Sequence, residues 1–196
     1  MKHNLRSKHL PGTILIIVIP FTLLSGNASA QQSRTDSTKM NPAATPSAAT
    51  SKTYPSAVGY LSFIVPVVTI DKDATTWNFN GTTKIGFPVG VNVLYSDHFG
   101  FSYEFTPTIT ATSASSKMSN LLFDPGTMFR FEHGFTIITR LAFETAGRYG
   151  FTPVFNQVYA RTKYVNYFIA GSLPVRFGNG APASIGFNVQ FGFTFN

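Results

Sequence analysis

From residue 85 to its end, the chain places most of its large apolar side chains on odd-numbered positions, a constraint that few folds can meet. Ile85, Phe87, Val89, Val91, Val93 and Tyr95 alternate with Gly86, Pro88, Gly90 and Asn92. Phe99, Phe101, Tyr103, Phe105 and Ile109 continue the pattern. So do Phe129, Phe131, Phe135, Ile137, Leu141 and Phe143, then Val165, Tyr167, Ile169, Leu173, Val175 and Phe177, and finally Ile185 to Phe195. Successive side chains of a strand point to opposite faces, so a period of two means strands with one apolar face. A shared parity means that every strand turns that face the same way.

The charges follow the other parity. Glu104, Arg130, Glu132, Arg140, Glu144 and Arg176 are all even. The odd-numbered charges beyond residue 84 are Asp97, Lys117, Arg161 and Lys163. Asp97 and Lys117 fall in connections, and Arg161 with Lys163 points to a turn around Thr162. With that turn the chain yields eight strands, about 58–69, 84–95, 99–111, 121–132, 135–146, 150–161, 164–177 and 184–195. In 150–161 Pro153 and Asn156 blur the alternation, and the alternative is an extracellular loop that leaves seven strands.

The apolar face is continuous, heavily aromatic and larger than the polar one. Only 12% of residues are charged, against about 25% in an ordinary soluble domain. No apolar run of the length a membrane helix needs occurs after the first thirty residues, which excludes a helical membrane protein. The expected fold is an all-β, antiparallel, up-and-down transmembrane β-barrel over residues 57–196, with odd positions toward lipid and even positions toward the lumen. Same-phase neighbours require loops with odd counts. Glu132-His133-Gly134 fits a three-residue hairpin with Gly134 left-handed, and Ser96-Asp97-His98 fits another. These tight turns belong on the periplasmic side, and longer connections at 70–83, 112–120 and 178–183 belong outside. Tyr95, Phe99, Phe131, Phe135, Tyr159 and Phe195 then form an aromatic girdle near one level.

Residues 1–30 have the three parts of a secretory signal peptide. Lys2, Arg6 and Lys8 precede the apolar core Thr13 to Leu24, and Ala28-Ser29-Ala30 is an A-x-A cleavage site. The alternative is an anchor that stays attached. Removing the segment takes the formal charge from +7 to 7 − 3 = +4, too scattered for a nucleic-acid partner. Residues 31–56, rich in Ser, Thr, Ala and Pro, cannot bury enough surface to order alone and predict a flexible periplasmic arm. A short plug entering the barrel is the other reading. Cysteine is absent, so neither disulfides nor a lipid-anchored amino terminus arises.

Signal peptide, alternating strands and the ending Phe191-Gly-Phe193-Thr-Phe195 together resemble the small eight-stranded outer-membrane barrels of Gram-negative bacteria, the OmpA and OmpX type. The resemblance covers residues 57–196. It implies a cell outer membrane location, contact with outer-membrane lipids and lipopolysaccharide, and recognition of the last strand by the barrel-assembly machinery. In that family the last strand usually closes on an aromatic residue, whereas Asn196 follows Phe195 here.

An eight-stranded barrel is just wide enough for side chains to fill. Glu104, Arg130, Arg140, Glu144 and Arg176 are expected inside it, with Asn92, Ser102, Asn166, Ser172, Asn188 and Gln190. Isolated buried charges are costly, so each carboxylate should have a guanidinium neighbour. This set reads as a structural network or as a narrow gated path for water or ions. His98 and His133, the histidines of the mature chain, sit in predicted periplasmic turns, so no catalytic residue is assigned. No metal-ligand spacing emerges. Asp71-Lys72-Asp73 reads as a solvated turn, and Gly178-Asn179-Gly180 as turn chemistry without the context of a phosphate loop. No cofactor is implied. The leading expectation is a monomeric, non-enzymatic envelope protein. The alternatives are a narrow channel or carrier for a small or hydrophobic compound, and a secreted lipocalin-like barrel with the opposite facing.

Overall fold

A computed structural model describes residues 52–195. The signal peptide, its Ala28 and Ala30 cleavage positions and most of the arm lie outside the described residues. Eleven strands form one antiparallel sheet: β1 (Ser56–Asp71), β2 (Thr75–Trp77), β3 (Thr82–Gly86), β4 (Val89–Leu94), β5 (Phe99–Thr112), β6 (Ser116–Arg130), β7 (Phe135–Glu144), β8 (Arg148–Arg161), β9 (Val165–Ser172), β10 (Val175–Gly178) and β11 (Ser184–Phe195). β1 pairs with β11 from Tyr60↔Thr194 to Asp71↔Ser184, so the sheet closes on itself. Taking β3 with β4 and β9 with β10 as single staves, the wall has eight staves, each bonded to two neighbours.

Both interrupted staves break at a proline, and both breaks are bridged. The Phe87 N–H donates to the Pro107 carbonyl, and the Pro88 carbonyl accepts from the Ser62 N–H. Leu173 and Pro174 repeat the device toward Pro153 and Gly186. A proline cannot donate to a ladder, but its carbonyl still can accept. Residues 150–161 therefore belong to a strand, with Pro153 opposite Thr139, and the loop alternative falls.

Parity is obeyed through the body of the barrel. Every large buried side chain, from Tyr60 and Glu104 to Phe168 and Gln190, is even-numbered. Among the described residues, the large exposed apolar side chains at even positions are Ile70, Met118 and Tyr164. Tyr164 lies in a turn. The other two lie beyond bulges, where one unpaired residue flips the facing of all that follow. The register shifts at Pro66/Val68 in β1 and across Asn120/Met118 in β6. A third shift, between Val158 and Ala160, puts Arg161 opposite Asn166. Arg161 is thus an inward residue at an odd number, although the turn it marks, residues 162–164, stands where the sequence placed it.

The expected contrast between short and long connections holds only in part, because two of the connections at the far end, 113–115 and 145–147, are as short as the turn at 162–164. Residues 112–120 are not a long loop: β5 and β6 run on until only residues 113–115 separate them. The 70–83 connection folds partly into β2, which pairs back onto β1. At the other end, Tyr95 N–H donates to the Phe99 carbonyl at 3.0 Å and Phe131 N–H to the Phe135 carbonyl at 2.8 Å. Gly134 is left-handed (φ 82°), and so is His133 (φ 59°).

Candidate functional site: a polar partition across the lumen

The lumen is neither filled throughout nor continuous. A cavity of about 630 Å³ opens at the tight-turn end and another of about 510 Å³ at the opposite end. Arg140, Val154 and Gln190 line both, so they belong to the layer that separates them.

That layer is built by two side chains that each lie across a glycine. On one row of the wall Tyr60 stands opposite Gly90, Gly90 opposite Glu104, and Glu104 opposite Asp124. A Cβ on Gly90 would collide with the Tyr60 ring and with the Tyr103 carbonyl. The missing side chain lets Tyr60 reach over β4, and its hydroxyl donates to Glu104 Oε2 at 2.7 Å. On the next row Ser102 faces Gly126 and Gly126 faces Arg140. A Cβ there would strike the Arg140 side chain and the backbone of β7. Arg140 reaches over β6, donating from Nη2 to Ser102 Oγ at 3.0 Å and to Tyr60 Oη at 2.9 Å. Its Nη1 is 2.8 Å from Glu104 Oε2.

Glu104 is the most heavily bonded group of the layer. Its Oε1 accepts from Thr106 Oγ1 at 3.0 Å, and Gln190 Nε2 lies 3.4 Å from its Oε2. Gln190 also donates to Ser62 Oγ at 2.8 Å. The partition thus ties β1, β5, β7 and β11 together across the interior. Glu104 is 2% exposed and Arg140 3%, and a charge so buried persists only when paired and hydrogen-bonded.

Asp124, also 2% exposed, is a lumen carboxylate that the sequence reading passed over. Its even number inside a strand was the available signal. It stands directly opposite Glu104, and its Oδ1 is buried without a hydrogen-bond partner. Nearer the long-loop end, Arg176 Nε meets Glu144 Oε1 at 2.7 Å, and its Nη1 donates to Thr152 Oγ1 at 3.0 Å. Both carboxylates named from sequence, Glu104 and Glu144, therefore have guanidinium partners. Arg148, which the sequence put in a turn, enters this group through β8, bonding the Pro182 carbonyl and Ser184 Oγ. Arg130 is separate from it, on the wall of the other cavity.

Above the partition, on the tight-turn side, the lumen turns apolar: Tyr60, Leu94, Met128, Ile138, Val154 and Phe168 form one buried cluster. At the rim Asp97 is held by Lys52 Nζ at 2.7 Å and Tyr54 Oη at 2.6 Å. These residues end the stretch assigned to the arm, of which only 52–56 are described. The hydrogen bond from Lys52, then that from Tyr54, draws the Asp97 carboxyl below its ordinary value, while the same bonds raise Lys52 and Tyr54.

The six aromatic residues assigned to a girdle all lie on the outer surface at this end. Phe131 and Phe135 rings are 5.8 Å apart, and Phe99 packs on Phe129 at 5.6 Å. Tyr159 neighbours Tyr167 at 6.4 Å and Phe195 meets Phe193 at 5.4 Å, while Tyr95 packs on Phe101 at 5.8 Å. His98 and His133 sit in the turns here, the former with Nδ1 3.2 Å from the Arg130 carbonyl. Asp71 is committed to its own turn, accepting from the N–H groups of Asp73 and Ala74. Gly178, Asn179 and Gly180 are all left-handed, a turn as expected.

No family model matches the chain, and no curated protein matches it. Solved structures of barrels do. One from the de novo design of transmembrane β-barrels superposes with a TM-score of 0.46 at 8% identity, covering 74% of this chain and 98% of the other. A designed barrel, TMB2.3, gives 0.37 at 13% identity over 71% and 94%. The outer membrane protein OprG from Pseudomonas aeruginosa gives 0.36 at 8% identity over 71% and 93%.

Proposed function

We propose that this chain is an integral outer-membrane barrel, monomeric and non-enzymatic, whose lumen is held shut at mid-height and which serves an envelope-structural or surface-interaction role. The observation that carries the reading is its inside-out chemistry. Phe63, Phe105, Leu141, Phe143 and Phe191 stand exposed around the wall while Glu104, Asp124, Arg140 and Arg176 are buried inside it. Water outside such a wall would face an apolar belt far larger than soluble monomers tolerate. Lipid outside removes that cost, and closure of the ring satisfies the backbone without water. A lipocalin-like carrier needs the reverse facing, so that reading loses its support. The outer aromatic cluster at the tight-turn end suits one membrane interface, and lipopolysaccharide and the assembly machinery are the envelope partners such a barrel would meet.

Heat-modifiable migration of detergent-extracted protein, with nitroxides at Phe101 and Phe129 reporting lipid and those at Glu104 and Arg140 not, is the expected result. Recovery solely as soluble periplasmic protein would sink the proposal. A second reading is favoured by one observation, the pair of cavities meeting at a single layer: a narrow path closed by that layer. Planar-bilayer recordings decide it, and silence at all voltages removes the channel.

A further inference from the structure

The cavity at the tight-turn end combines an apolar patch, set among polar side chains such as Asn92, Thr136 and Asn156, with a basic mouth, and nothing in the closed-barrel reading uses either. Leu94, Met128, Ile138 and Phe168 line its side, from β4, β6, β7 and β9. Tyr60, Arg140 and Gln190 make its floor, and that floor is already internally bonded, so an occupant meets a closed end. Its volume of about 630 Å³ falls within the range of small-molecule sites.

The rim supplies those groups. Lys52 neutralises Asp97. What remains at the mouth is Arg130 and Arg161 against the single carboxylate of Glu132, with His98 and His133 beside them. Among the described residues, neither arginine has a carboxylate within ion-pair distance. Arg161 is brought to the mouth only by the bulge between Val158 and Ala160, without which its number would turn it outward. A guanidinium offers a planar fork suited to a carboxylate. The depth order, apolar patch below and arginines above, fixes the orientation of a guest.

We propose that this cup is a binding site for an amphiphile with a compact apolar body and a carboxylate head. The body lies against Leu94, Met128, Ile138 and Phe168, and the head pairs with Arg130 and Arg161. A cationic amphiphile is rejected by the same two side chains. The inference rests on the membrane reading for the surroundings of the barrel and not for the cup itself.

The test is a titration of the full mature chain in lipid nanodiscs, following 13C-methyl signals of Met128 and Ile138 while sodium octanoate is added. Leu141, exposed on the outer wall, is the control for octanoate entering the bilayer. Saturable shifts of Met128 and Ile138, absent with octylammonium, are expected. Arg130→Ala and Arg161→Ala should each raise the half-saturation concentration about tenfold, and Ile138→Trp should abolish the remaining Met128 shift by filling the cup. Flat titration of a barrel that still migrates heat-modifiably overturns the site and leaves the membrane reading standing. Equal response to octylammonium, or shifts that only track Leu141, also overturns it. So does a nitroxide at Ser47 that broadens Met128 while octanoate has no effect, since the occupant is then the chain's own segment.

Discussion

Tyr60 and Glu104 belong to strands that do not pair, yet a 2.7 Å hydrogen bond joins them over the backbone of Gly90. Arg140 crosses Gly126 in the same way to reach Ser102 and Glu104. In a ring of eight staves the partition is therefore set by where side chains are missing as much as by where charges stand. Gly90→Ala and Gly126→Ala should each cost about 1–3 kcal/mol, the penalty of overpacking. Urea unfolding from lipid vesicles measures it, and at Gly126 loss of the Arg140 contacts should add to the effect.

Removing one member of the central pair should cost more than removing both. Glu104→Gln or Arg140→Gln leaves a buried charge unpaired, about 3–5 kcal/mol. The double variant Glu104→Gln with Arg140→Gln should fall well short of the sum, since it leaves no orphan charge. A double-mutant cycle in the same urea assay checks this. Additive losses would mean the two groups do not act on each other.

Charge placed on the outer wall should report depth. Leu141 neighbours Arg140, a member of the mid-height layer, whereas Tyr159 stands beside the tight turns. Leu141→Arg should therefore destabilise by about 2–4 kcal/mol and Tyr159→Arg by about 0–1 kcal/mol. Equal costs would place the apolar belt elsewhere.

The Lys52–Tyr54–Asp97 clasp should have an acid limit and an alkaline one. The Asp97 carboxyl is drawn below its ordinary 3.8, so its contribution is present above that value and disappears as pH falls through the lowered one. Lys52 and Tyr54 are raised above their ordinary 10.5 and 10.0, so theirs is present below those values and disappears as pH rises through the raised ones. The groups are exposed, and the effect on overall stability is small. Tyr54 ring resonances followed by NMR should move at both limits, and Asp97→Asn should erase the acid one.

Most of the architecture was legible because one rule, the alternation, governs every stave. Phe105 and Glu104 announce opposite sides of the wall without any tertiary information. The rule fails where the chain inserts a residue. The bulges that send Ile70 and Met118 outward and Arg161 inward have no composition of their own, since an unpaired residue shows only against its partner strand. Loop lengths failed for a related reason: residues 112–120, with their serines and lysine, read as a connection, and pairing with β5 overrides that preference. Asp124 was readable and overlooked. The cross-lumen contacts of Tyr60 were not readable, because nothing in the sequence says which glycine lies beneath a tyrosine.

The seam between β1 and β11 bears on the order of events during assembly. Gln190 and Ser62, joined at 2.8 Å, are 128 residues apart, and the first stave has no second neighbour until the last has been made. A chain stopped short of β11 leaves β1 with a bare row of backbone donors and acceptors, which a bilayer interior does not accept. On the proposed membrane reading, that edge has to be covered by something other than its own chain until β11 arrives. The ring closes only when β11 pairs with β1, so the last stave made is the one that completes the first.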